Sequence, residues 1–338
     1  MDRRQSRRAT GRLAAGALVT AALLATSSCG LFGSDDRHDA APSTTTTARP
    51  TTTTTVAPVP HADPPRLLEA GAEPRQLLRV HYRSGEEATI VLTSDLAVTQ
   101  TSRGRTQRLD SPPIQQTLTY TVGDVTDQGA ALTIRIADVT VKAKGTGLSD
   151  DDVAALQKQL DPLVGLETTG TATPLGELEA VSFDEPAGLS AATTARLASL
   201  DEQIAALGPS LPVEPVGTGA RWQTTSPTDS GGAKGTITTT VTATAIGEHQ
   251  LAYRSTISVS AGAQDLHLQG VAAGTTARLL SSELSGTSKG TLGLDALGLS
   301  LRTTLSGSQK LTLTHAGGQT GLTQRIDLGY VARTDTGG

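Results

Sequence analysis

The sequence has little of several residue types that mark common protein classes. Its 338 residues include one cysteine, which excludes intramolecular disulfides and zinc sites made of cysteine alone. Aromatic residues make up 2% of the chain, and asparagine is absent. The net charge of −5 argues against nucleic acid as a partner, since that binding needs clustered cations. Heavy use of Ala, Gly and Thr is typical of a GC-rich bacterial genome, such as that of an actinobacterium.

The N-terminus has the pattern of a bacterial export signal. Five arginines precede an apolar stretch, Leu13 to Ala25, which is short for a permanent membrane helix. Small residues then lead to Cys29, the single cysteine. This arrangement resembles the bacterial lipoprotein signal, after which the cysteine becomes the acylated first residue of the mature protein. Thr26 stands where that signal prefers Leu, and a plain secretory signal is the alternative reading.

The lipoprotein reading makes residues 1–28 a cleaved signal peptide. Its removal takes away five arginines and one aspartate, so the net charge changes from −5 to −9. Anionic lipid headgroups repel so acidic a protein. We therefore expect acyl chains on Cys29, such as palmitate, to hold it at the extracytoplasmic face of the cell membrane, at about 0.8 kcal/mol per buried methylene.

Residues 29–65 predict a spacer. Threonine runs at 44–47 and 51–55 alternate with prolines, and no apolar period is present. Such a composition cannot bury enough apolar surface to offset the entropy lost on ordering. We therefore expect a disordered stalk that lifts the folded part off the membrane, with or without glycosylation of its threonines.

Residues 66–338 predict a mainly β domain of the α+β class. Apolar and polar residues alternate in many short stretches, which indicates antiparallel strands with one buried face. Polar breaks at 127–129 and 247–249 contain glycine and predict hairpin turns. The apolar members of the stretches are Leu78, Val80 and Tyr82; Ile90 and Leu92; Leu96 and Val98; Leu118, Tyr120 and Val122; Leu132, Ile134 and Ile136; Leu266 and Leu268; Leu311 and Leu313; and Ile326, Leu328 and Tyr330.

Two amphipathic helices are predicted among the strands. The first spans Asp150–Leu160 and begins at the cap Ser149. The second spans Ala191–Leu207 after Ser190 and stops at the Gly-Pro pair that follows. Each helix has one apolar face, so we expect the two to cover a curved antiparallel sheet or half-barrel. These faces consist of Val153, Leu156 and Leu160 in the first helix and Leu197, Leu200, Ile204 and Leu207 in the second.

A weak internal repeat divides the domain. Residues 117–122 match residues 236–241 at an offset of 119. A duplication would give halves at 66–215 and 216–338. Threonine-rich strands also match each other by chance, so both interpretations stay open. Trp222, the only tryptophan, lies where the halves meet. We expect it to anchor the core, with a loop at a pocket mouth as the alternative.

These features together resemble two groups of lipoproteins. The cysteine signal, the Thr/Pro stalk and a two-part β region joined by Pro215-Val216-Gly217-x-Gly219-x-x-Trp222 are similar to an uncharacterised family of actinobacterial lipoproteins, a domain of unknown function. That resemblance implies no particular activity. The expected architecture is similar to the lipoprotein-carrier fold and to mycobacterial lipid-binding lipoproteins, which implies a lipid ligand but does not establish one.

The best candidate for catalysis is Ser288 in the sequence Gly286–Gly290, which fits G-x-S-x-G. Asp295 and His315 follow in the order found in α/β-hydrolases. That mechanism needs a helix directly after the serine, but the strand pattern continues there. We therefore predict that the protein is not an enzyme.

Metal and cofactor sites are not predicted either. His267 shares a strand face with Asp265 and Gln269, which is typical of a solvated face. Asp150–Asp152 lie in the first turn of a predicted helix, where the helix dipole explains them. Neither group has the spacing of a zinc or calcium site.

The sequence therefore predicts a membrane-anchored extracytoplasmic lipoprotein that binds an apolar ligand or lipid. A core of small aliphatic residues could leave a cavity, with the helices as its lid. The alternative is a structural or interaction protein of the cell envelope without a ligand cavity, which uses its polar outer strands to contact a partner or cell-wall polymer. A filled interior favours this alternative.

Overall fold

The computed structural model describes residues 64–143, 145–230, 233–266, 275–315 and 317–335. Within these ranges, strands predominate and two α-helices accompany them, which confirms the predicted mainly β class. The predicted signal peptide, Cys29 and the predicted stalk as far as residue 63 lie outside the described residues.

The strands and helices are numbered along the chain. They are β1 (Arg66–Glu69), β2 (Glu87–Ser102), β3 (Arg105–Thr126), β4 (Gly129–Val141), α1 (Asp150–Leu160), a 3-10 turn (Asp161–Leu163), β5 (Glu167–Ala172), β6 (Leu178–Glu179), α2 (Ala191–Ala205), β7 (Arg221–Ser230), β8 (Ala233–Ile246), β9 (Gln250–Ala261), β10 (Gln264–Leu266), β11 (Thr276–Gly293), β12 (Leu299–His315) and β13 (Gly318–Asp335).

All of these strands belong to one curved antiparallel sheet that does not close. Its order is β1-β7-β8-β9-β11-β12-β13-β2-β3-β4-β5-β6, with β10 beside β11. Strands β2 to β6 form one meander and β7 to β13 another. The pairing of β13 with β2 joins the two meanders, so both parts of the chain share a single sheet.

Glycines permit close approaches within the β11–β12 hairpin. A Cβ atom at Gly286 would lie 1.9 Å from the carbonyl oxygen of Thr304, and one at Gly307 would lie 2.0 Å from that of Glu283. No side chain fits at these positions, which lie in the interior of long strands. The missing side chains allow the backbones of the two strands to approach closely at these positions.

The structure confirms both predicted helices. Helix α1 has the predicted bounds, and the Ser149 hydroxyl accepts a hydrogen bond from the Asp152 backbone N–H at 3.2 Å. Helix α2 begins after Ser190 as predicted but ends at Ala205, two residues early. The Leu207 N–H already donates to the carbonyl three residues back, which is the tighter geometry of a fraying end.

One predicted strand is wrong. The segment containing Leu78, Val80 and Tyr82 is extended, but no strand pairs with it along its length. Its N–H groups bond to loop carbonyls instead: that of Val80 donates to Pro174 at 2.9 Å and that of His81 to Leu294 at 2.6 Å. Leu78 and Val80 are buried as expected, because an extended chain between two loops alternates its side chains as a strand does.

The main core lies between the helices and the inner face of the sheet. It consists largely of Leu, Ile, Val and Ala, and the predicted apolar faces of both helices pack into it. Trp222 lies in this core with no exposed surface, and its indole N–H donates to the carbonyl of Ser210 at 2.7 Å. The prediction that Trp222 anchors the core is therefore confirmed.

The two matching segments of the predicted repeat lie in hairpins that correspond in order, but the strands of the two hairpins pair in different registers. The matching segments lie in β3 and β8, each followed by its hairpin partner. Val122 pairs with Leu132, but its counterpart Val241 pairs with Ser255 instead of Leu251. The duplication stays a prediction.

Candidate functional site

The structure does not bring the three residues of the hydrolase pattern together. Ser288 lies in the middle of β11, buried, and its hydroxyl accepts a hydrogen bond from Thr303 Oγ1 at 3.0 Å. Asp295 lies in the loop after β11, where it contacts His249. His315 ends β12 near Thr276, twelve residues along the strand from Ser288, or about 40 Å.

The predicted surface roles of other polar residues are borne out where the structure describes them. The carboxylate of Asp265 pairs with Arg278 at 2.8 Å, and both side chains are exposed. Asp150–Asp152 occupy the first turn of α1. His267 and Gln269 lie outside the described residues. Within the described ranges, no three His, Cys, Asp or Glu side chains are grouped as metal ligands, and no helix is long and apolar enough to cross a membrane.

Four cations lie in one row across the outer face of the sheet, three of them on adjacent strands. The register places Arg221 of β7 opposite Thr242 of β8, which lies opposite Arg254 of β9. Arg254 in turn lies opposite Lys289 of β11, and Lys289 opposite Arg302 of β12. We call Arg221, Arg254, Lys289 and Arg302 the cationic row. Neighbouring strands are about 4.8 Å apart, so the row spans about 19 Å.

Side-chain alternation along each strand directs the cationic row outward. Tyr253 and Ser255, which flank Arg254 in β9, are both buried, whereas Arg254 is exposed. The same alternation puts Leu301 and Thr303 inside and Arg302 outside in β12. The core therefore fixes the direction in which these cations point.

The cationic row is electrostatically unfavourable for the sheet. Like charges directly opposite each other destabilise a strand pair, and Lys289 has a cation on both sides. Arg221 is compensated by Glu69, at 2.6 Å. Burial raises the pKa of Asp95, while the charge of Arg302 lowers it in part. In the described part of the chain, Arg254 and Lys289 have no carboxylate partner within ion-pair distance.

Two adjoining depressions, widely open to solvent, lie over the cationic row. Their volumes are about 660 and 570 Å³, and Arg254, Lys289 and Arg302 line both of them. We call the combined depression the cationic groove. Guanidinium groups and hydroxyls side by side can bind an anionic group and the hydroxyls next to it. The threonines that line the groove are Thr240, Thr242, Thr244, Thr256, Thr287, Thr291 and Thr304.

Sequence reasoning did not find this groove. Arg254, Lys289 and Arg302 each appear in the sequence as the polar partner in an alternating strand. They become neighbours only through the register of β9 with β11 and of β11 with β12. A bulge between Ala243 and Ala245 in β8 affects only how Thr242, and through it Arg221, aligns with Arg254. No local signal in the sequence gives that register.

Comparisons with known proteins do not identify a relative. No protein-family model and no curated protein sequence matches the chain. It is similar to the outer membrane protein OprG from Pseudomonas aeruginosa, with 7% identity over 76% of this chain and 99% of OprG, at a TM-score of 0.22. It is also similar to an outer membrane channel from Pseudomonas putida F1, with 12% identity over 76% of this chain and 98% of the channel, at a TM-score of 0.15. Similarity at this level supports no functional assignment, and the resemblance to lipoproteins stays a prediction.

Proposed function

We propose that the protein is a lipoprotein of the cell envelope whose β domain binds an anionic envelope polymer in the cationic groove. Acylated Cys29 anchors it at the extracytoplasmic face of the membrane, and the stalk of residues 29–65 gives the domain its reach. The observation that carries the proposal is the cationic row, in which three cations stand directly opposite one another without acidic partners for Arg254 or Lys289. This proposal develops the alternative given by the sequence, a structural or interaction protein of the cell envelope, and adds that its partner is anionic.

The shape of the groove favours a polymer over a small anion. The row repeats a cation at the strand spacing of about 4.8 Å over three neighbouring strands and continues to Arg221 two strands further on. A single small anion would contact two of these groups at most. A polysaccharide with repeated acidic groups would contact all four and offer its hydroxyls to the threonines.

The position of the groove suits a large partner outside the domain. The aliphatic core, which includes Trp222, lies on the inner face of the sheet, and the cationic groove lies on the opposite, outer face. An apolar ligand or lipid stays a prediction from the sequence. Anchoring and groove act together, because a tethered domain meets an envelope polymer at a high effective concentration.

The groove is tested with a charged and an uncharged form of one polymer. Binding of the full chain to dextran sulfate and to unmodified dextran is measured by calorimetry at several salt concentrations. We expect binding to dextran sulfate only, with affinity that falls as salt rises. The triple variant Arg254→Gln/Lys289→Gln/Arg302→Gln should lose at least tenfold in affinity.

The matched control removes the same charge elsewhere on the sheet. Arg105, Lys234 and Lys310 are exposed and lie outside the groove, and all three are changed to Gln. Equal losses in the two triple variants would show general charge attraction and refute the groove. The anchor is tested separately, since Cys29→Ala should move the protein from the membrane fraction to the soluble fraction; unchanged partition would refute it.

A further inference from the structure

A cationic side chain is buried in the interior without a charged partner. Arg196 on α2 is 9% exposed, and one of its guanidinium nitrogens, Nη2, donates to the hydroxyl of Ser94 at 2.8 Å. Its Nε has no hydrogen-bond partner, and in the described ranges no carboxylate is within ion-pair distance of it. Burial lowers the pKa of Arg196 to about 10, so the group remains charged at neutral pH. A buried charge of this kind is costly unless it is paired.

A row of inward-facing hydroxyl groups leads across the sheet to the serine that contacts this arginine. Ser255 of β9 is opposite Ser288 of β11, which is opposite Thr303 of β12. Thr303 is opposite Tyr330 of β13, and Tyr330 is opposite Ser94 of β2. All five side chains face inward and are buried. We call them the hydroxyl belt, which ends at the serine that holds the Arg196 guanidinium.

Further polar atoms in the same region lack partners. Gln203 lies on the same flank of α2 as Arg196, and its side-chain oxygen is buried without a hydrogen bond. Gln116 is the next inward residue of β3 after Ile114, which pairs with Ser94, and neither of its amide atoms has a partner. Unpartnered buried polar groups are rare and costly in folded proteins. Two of these side chains lie on α2 and one lies on the strand paired with that of Ser94, so a ligand beside Ser94 could supply the missing contacts.

We propose that Arg196 and the hydroxyl belt form an internal binding site for a carboxylate. A guanidinium presents parallel N–H donors that match the two oxygens of a carboxylate, and the hydroxyls of Ser94 and Tyr330 can donate as well. The carboxylate comes from a small free acid or from the head of an acyl chain. The site is on the inner face of the sheet and does not depend on the proposed function of the outer face.

The site is tested by thermal unfolding of the full chain with three additives. These are sodium acetate, sodium decanoate and decanol, which separate a small acid, an acid with a tail and a tail without an acid. We expect an acid to raise Tm in a concentration-dependent way, as a ligand of the folded state does. Acetate acting at concentrations similar to decanoate identifies a small acid, whereas decanoate acting at least tenfold lower identifies an acyl chain.

The matched variant is Arg196→Met, which keeps the length of the side chain and removes its charge. Without an acid, this variant should unfold at the same or a higher temperature, because it removes an unpaired buried charge. With an acid, its Tm should not rise. Ser94→Ala serves as a second variant if Arg196→Met does not fold, and its acid-dependent rise in Tm should be at most half that of the parent.

Three results would overturn the proposal. The first is a parent Tm that neither acid raises. The second is an equal rise in the parent and in the variant used, and the third is a decanol effect equal to that of decanoate. Direct binding is read from the carboxyl resonance of 13C-labelled decanoate or acetate, which should shift with the parent and not with the variant.

Discussion

Reversing one charge in the cationic row should stabilise the protein while it abolishes polymer binding. In Lys289→Glu, two repulsive cross-strand pairs, with Arg254 and with Arg302, become attractive pairs. Cross-strand charge pairs are worth about 0.2–1 kcal/mol each, and exposed groups fall at the lower end. Losing two repulsions and gaining two attractions therefore adds about 1–2 kcal/mol at low salt, or about 2–6 °C in Tm for a domain of this size.

The measurement is thermal unfolding of the full chain at low salt and at 1 M salt. The gain should largely disappear at 1 M, where the screening length is about 3 Å. Lys310→Glu is the control, since the residues directly opposite it, Ser281 and Thr323, are uncharged, and its effect should stay within about 0.5 kcal/mol. A lower Tm for Lys289→Glu, or an equal gain in both variants, would refute the electrostatic account of the row.

Two more predictions concern the partly buried Asp201 and the buried Trp222. Burial raises the pKa of Asp201 to about 6, above its ordinary value near 3.8, so the folded state holds this proton more tightly and stability should fall as pH rises from about 4 to 6. Asp201→Asn should flatten that part of a Tm-against-pH curve, and an unchanged curve would contradict the assignment. Trp222→Ala should lower the free energy of unfolding by about 3–5 kcal/mol in urea titrations followed by circular dichroism. Trp222→Phe should cost clearly less, because it loses the bond to Ser210 but keeps the packing, and equal losses would argue against a packing role.

The sequence predicted which face of each strand and helix is buried better than it predicted which segments pair with each other. Alternation with period two identified which side chains of β3, β4 and β13 are buried, and the cap residues Ser149 and Ser190 placed both helix starts correctly. The alternating pattern does not predict which segment supplies the backbone hydrogen bonds. The segment with Leu78 and Val80 alternates like a strand, but its N–H groups bond to loops.

The local sequence pattern predicts neither of the two candidate sites, and the reasons differ. The cationic row depends on the register of four strand pairs, one of which contains a bulge, and no short segment of the sequence encodes that register. Arg196 is not part of the apolar face predicted for α2, which consists of Leu197, Leu200, Ile204 and Leu207. The helix is buried over a wider arc that includes Arg196 and Gln203 as well, and Arg196 reaches Ser94 of β2.

The pairing of β13 with β2 has a consequence for how the chain can be made. The strands that meet there are Glu87–Ser102 and Gly318–Asp335, so the sheet gains its central contact only when the last described residues have been synthesised. Until then β2 and β12 each present a long unpaired edge, which is a template for pairing with another molecule. A chain that stops before β13 would leave both edges open permanently, so the C-terminal strand decides whether nascent chains fold alone or associate.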